Sequence, residues 1–125
     1  MIFLQLTLTN DAVAFQSSKW IESILVKYPT AEVMEADNKS EIYLFQQTLK
    51  WVLQSSEPLV LHIHSLDSEA STGNILRVLQ DLLQKKVPVL ITMQGQHIGI
   101  QKYINAFSSY TVVETEQEAV GLIVI

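Results

Sequence analysis

A chain of 125 residues, 48% apolar and only 17% charged, has the size and composition of one folded domain, which excludes a disordered or coiled-coil class. Its net charge of −5 comes from 13 acidic and 8 basic side chains, and the basic ones (Lys19, Lys27, Lys39, Lys50, Arg77, Lys85, Lys86, Lys102) are scattered except for one pair, so no basic stripe exists to bind nucleic acid. The absence of cysteine removes disulfides, thiolate chemistry and every zinc site that needs a thiolate.

The chain opens with IFLQLTL, residues 2–8, a strand's length of apolar and β-branched types followed by three good helix caps, Thr9, Asn10 and Asp11. This start has neither the basic region nor the long apolar core of a signal peptide. No run approaches the roughly 20 apolar residues of a membrane span, so the expected setting is cytoplasmic, with no membrane partner. Val13, Ser17, Trp20, Ile21, Ile24, Leu25 and Tyr28 recur at three- and four-residue spacing and predict a first helix closed by Pro29. Residues 30–36 (TAEVMEA) predict a second strand whose two glutamates suit a sheet edge. Asp37, Asn38 and Ser40 supply turn and cap chemistry for a second helix, with Ile42, Phe45, Leu49, Val52 and Leu53 as its apolar face, ended by Ser55, Ser56 and Glu57.

The run PLVLHIHS, from residue 58, reads as a central strand covered on both faces, and it feeds a loop rich in hydroxyls. A third helix follows, turning Ile75, Leu76, Leu79, Leu82 and Leu83 inward and ending at Lys85 and Lys86, where cations suit the helix dipole. VPVLITM, residues 87–93, is a second central strand with Pro88 confined to its first position. Ile100, Tyr103, Ile104 and Phe107 mark a fourth helix, and residues 111–114 a short fifth strand. In Thr115-Glu116-Gln117-Glu118 a capping box opens a last helix carrying Ala119, Val120, Leu122 and Ile123 onto the sheet.

Strict alternation of strand and helix with short connections predicts one α/β domain spanning residues 1–125. The expected form is a three-layer α/β/α sandwich with a five-stranded parallel sheet in the flavodoxin-like order 2-1-3-4-5. In such sheets ligands bind at the carboxyl ends of strands one and three, here residues 9–11 and 64–74.

Ser68, Ser71, Thr72, Gly73 and Asn74 form the candidate anion or phospho-regulatory loop, since hydroxyls and free N–H groups meet there at a helix start. The plainer reading is that Ser68 or Ser71 caps the third helix; a P-loop lysine and a dinucleotide loop's glycines are both missing. Gly73 marks a close backbone approach at an exposed helix start, where Gly73→Arg is expected to spare the fold.

His64, Asp67 and His97 form a candidate polar cluster. His62 and His64 point to one face, so a three-His metal site with His97 and Asp67 or Glu69 is a geometric option, set against His62 as a hydrogen-bonded core residue. The expected metal and cofactor are none. No serine carries nucleophile-elbow glycines, and no catalytic residue is assigned.

PVLIT at residues 88–92 resembles the strand of phosphoacceptor receiver domains that ends in a hydroxyl residue, but the acid cluster those domains use is absent, since Asp11 stands alone and His62, Ile63 and His64 occupy the third strand. Residues 58–120 also resemble STAS-type domains of the anti-sigma-factor-antagonist kind. The likeness rests on LVLHIHSLDSEASTG, the Leu-rich helix into KKVPVLI, and the final strand into ETEQEA. It implies Ser71 as phosphoacceptor, Thr72 as the following hydroxyl and Gly73 as the motif glycine, with Ala70 in place of the motif Asp. The N-terminal half departs, reading as two βα units in place of that family's β-hairpin.

Two functions are thus expected in competition. One is a non-enzymatic regulatory or interaction module docking a protein partner through the loop after strand three. The other is a small enzyme or anionic-ligand protein using the carboxyl ends of strands one, three and four, with His64, Asp67, Ser71 and His97 around the ligand. A homodimer is compatible with either.

Overall fold

The computed structural model describes residues 1–10, 19–39 and 42–123. The elements alternate: β1 (Ile2–Leu8), α1 (Lys19–Lys27), β2 (Glu32–Asp37), α2 (Ile42–Gln54), β3 (Leu59–Ser65), α3 (Ile75–Gln84), β4 (Pro88–Gln94), α4 (Ile98–Asn105), β5 (Thr111–Val113) and α5 (Glu116–Gly121). The strands form one parallel sheet in the order β2-β1-β3-β4-β5, as expected from the alternation. Asp11, Val13, Ser17, Ser40 and the side chains of Trp20, Ile21 and Ile42, all assigned roles from the sequence, lie outside the described residues.

The pleat of the central strands sorts the core into two layers, because alternate side chains point to opposite faces. Leu4, Leu6 and Leu8 of β1 and Leu59, Leu61 and Ile63 of β3 join Ile91 and Met93 beneath α2, α3 and α4. On the other face Phe3 and Val60 meet Ile24 of α1, Val120 of α5 and Ile123 just beyond it. α3 shows why the helices dock: Ile75, Val78, Leu79 and Leu82 recur at i, i+3, i+4 and i+7 and are all buried. Val78 was not among the residues expected to face in, while Leu76, which was, is only half-buried.

Three other apolar positions expected inward are exposed. Leu25 is one residue on from the buried Ile24, about 100° round the helix and beyond the packed arc. Leu122 falls at the C-cap of α5, and Phe107 lies past the end of α4, where its ring meets Tyr103 at 5.3 Å between centroids. The capping box of α5 forms with a displaced second half: Thr115 Oγ1 accepts from Glu118 N at 3.2 Å, but the Glu118 carboxylate accepts from Glu114 N, one residue before the cap.

β2 is an edge strand, as its glutamates suggested. Pro88 is the first residue of β4, as expected; it stands opposite Leu59, and the register then slips so that Leu90 faces Val60, leaving Val89 bulged out and exposed. β5 pairs with β4 only from Thr92 onward, so, among the described residues, residues 88–91 have no strand partner on that side.

Candidate functional site

The carboxyl ends of β1, β2, β3 and β4 meet at one margin of the sheet, and the loop of residues 66–74 crosses it from β3 to α3. On the β2 side the loop is held by Asn38. Its buried side chain accepts from Thr9 N at 3.1 Å and donates to Thr9 O at 3.0 Å and to Ser71 O. Gly73 has φ +52°, and a Cβ there would lie 2.1 Å from Asn38 O. The glycine is therefore required twice, by its left-handed backbone and by the carbonyl against it. Gly73 is exposed, as expected, but Gly73→Arg is not expected to spare the fold, because the Asn38 carbonyl stands where a Cβ would be.

On the β4 side Ser65 Oγ donates to Gln96 O at 2.8 Å, and Gly95, with φ +81°, sits where a Cβ would come within 2.2 Å of Ser65 O. His97 completes this anchor. Its Nδ1 accepts from Ile100 N at 3.2 Å and so caps α4, while Nε2, which then carries the proton, donates to Ala70 O at 2.7 Å. Within the loop Asp67 uses both oxygens, one accepting from Glu69 N at 2.9 Å and the other from Asn10 Nδ2.

These contacts decide where the expected residues stand. Neither Ser68 nor Ser71 caps α3: its N-cap is Asn74, which makes no side-chain cap bond, and both serines are exposed. Thr72 is half-buried, and its carbonyl accepts from Ile75 N. His64, Asp67 and His97 do not converge. His62 and His64 face the α1 and α5 layer, whereas His97 caps α4 in the opposite layer, so the sheet separates them. Among the described residues no group of three or more metal-ligating side chains forms, and the three-His arrangement fails for this reason. His62 is the satisfied core residue expected, its Nδ1 paired with Thr92 Oγ1 at 2.7 Å and its Nε2 with Gln94 Oε1 at 3.3 Å.

A second feature was missed. On the face carrying His62, every strand but β5 turns polar in its carboxyl half, and the register aligns the side chains in two rows. One runs Glu35, Gln5, His62, Thr92, and the next Asp37, Thr7, His64, Gln94. Gln5 is 6% exposed and its Nε2 donates to Thr7 Oγ1 at 3.3 Å, while its Oε1 has no hydrogen-bond partner. Burial pushes the Glu35 carboxyl above its ordinary range. The signal was present in the sequence as i, i+2 polar pairs (Gln5 and Thr7, Glu35 and Asp37, His62 and His64, Thr92 and Gln94), each following an apolar residue on the same face.

Among the described residues no helix is long and apolar enough to cross a membrane. No protein-family model, curated protein or solved structure matches the chain.

Proposed function

We propose that the chain is a small non-enzymatic regulatory or protein-interaction module, STAS-like or pseudo-receiver-like, that docks a protein partner through the loop after β3. The observation that supports this reading is the combination of a loop tied by its backbone to both neighbouring loops with outward side chains that take no part in the tying. Ser68 and Ser71 are exposed, and Leu66 is 60% exposed, although the main chain between them is fixed by Asn38, Ser65 and His97. A surface ordered before binding loses little conformational entropy on association. The competing ligand-binding reading is weakened because Asp67 and His97, two of its polar groups, spend their hydrogen-bonding atoms on the chain itself.

In the switch form of this proposal a kinase modifies Ser71 or Thr72, adding up to two negative charges at the start of α3, where the dipole tolerates them. Incubation with cellular extract and ATP, followed by mass-spectrometric mapping, should find phosphate on one of these two residues. Extracts that modify neither would refute the switch. Thermal melts with phosphate, nucleotides or flavin separate the two classes, since a ligand at 100 times its dissociation constant adds about 2.7 kcal/mol. The docking reading expects flat melts.

A further inference from the structure

We propose that the polar rows on the α1 and α5 face form a binding site for a small primary ammonium group, held between Gln5 and Glu35 and entered from the β2 edge. The site is independent of the docking loop, which lies at the end of the strands.

Gln5 and Glu35 are register partners on neighbouring strands, which lie about 4.8 Å apart, so their side chains stand abreast on one face. Both present acceptors. Gln5 Oε1 is unpartnered in a residue that is 6% exposed, and leaving a buried acceptor unmade is costly. The neighbour on its other side offers no donor, because both ring nitrogens of His62 are turned to β4, on Thr92 and Gln94. Glu35 makes no hydrogen bond or ion pair among the described residues and is itself half-buried at the sheet margin. A carboxylate and an amide oxygen on neighbouring strands, neither supplied with a donor among the described residues, match an ammonium, which carries several N–H donors and the compensating charge. Burial raises the proton affinity of Glu35, the direction expected of a carboxylate partly withdrawn from water. Since β2 is the outer strand, Glu35 provides the approach and Gln5 the floor.

The probes are methylammonium and 1,4-diaminobutane, with tetramethylammonium as the control that has charge but no N–H. With selectively ¹⁵N-labelled glutamine, the Gln5 side-chain amide signal should move on titration with either amine and stay unmoved with tetramethylammonium. Glu35→Gln, which preserves shape, should weaken methylammonium at least about tenfold, the scale of losing one charge-assisted hydrogen bond. Gln5→Leu should abolish binding, and if that variant proves unstable Glu35→Gln decides. Equal responses to all three probes, no movement of the Gln5 signal, or unchanged affinity in Glu35→Gln would each overturn the proposal.

Discussion

Gly73 and Asn38 act as one unit, since the glycine's missing side chain is what lets the Asn38 carbonyl approach and the Asn38 amide is what ties Ser71 and Thr9 to it. Gly73→Ala should cost about 1–2 kcal/mol from the left-handed backbone, before any displacement of Asn38 is counted. Gly73→Arg should cost more, and urea melts of both give the comparison. Asn38→Ala removes the amide's bonds to Thr9 N, Thr9 O and Ser71 O from a buried setting, a loss of about 1–3 kcal/mol by the same measurement. The close approach at Gly73 was legible in the sequence, but its partner was not. Thr9 and Asn38 are 29 positions apart and meet only because β1 and β2 are neighbours, so a reading that saw turn chemistry at Asn38 had no means of finding its partner. The same holds for Ser65 with Gly95 and for His97 with Ala70, whose contacts arise from the β3 and β4 pairing.

Elements were far easier to read than contacts, because periodicity is local and burial follows it. The apolar runs after Pro58 and after Lys86 gave the two strands read as central, β3 and β4, and Leu79 of α3 is fully buried as its spacing required. Leu79→Ala should therefore cost about 2–5 kcal/mol through lost burial and a residual cavity. At the other end of the scale, Thr115→Ala removes only the cap of the short helix α5 and should cost about 1 kcal/mol. A denaturant series on the two variants should preserve that order. Where the helix reading went astray, as at Leu25 and Phe107, the cause was the width of an apolar stripe or the position of a helix end, which tertiary packing decides.

For the whole molecule, the half-buried carboxyl of Glu35 ties stability to pH. Its folded proton affinity is raised above the ordinary 4.5, so through the window just above that value the native state holds more protons than the unfolded chain, and stability falls as pH rises. Glu35→Gln should melt like the parent below the window, where the parent's Glu35 carboxyl is protonated in both folded and unfolded states, and higher than the parent at neutral pH. Thermal melts across pH test the sign. The mismatch in length between β4 and β5 has a different consequence, for solubility. Among the described residues, residues 88–91 have no ladder partner on that side and face Ser108, Ser109 and Tyr110 across a gap, so a strand from another molecule that displaced those residues would find ladder positions to fill, the usual route to sheet growth between chains. Pro88, without an N–H to offer, and the bulge at Val89, which bends the flank out of register, are devices of the kind that block such growth. Replacing Pro88 by Thr should leave the monomer's fold in place yet convert this flank into a template, seen as concentration-dependent association by light scattering that the parent chain does not show.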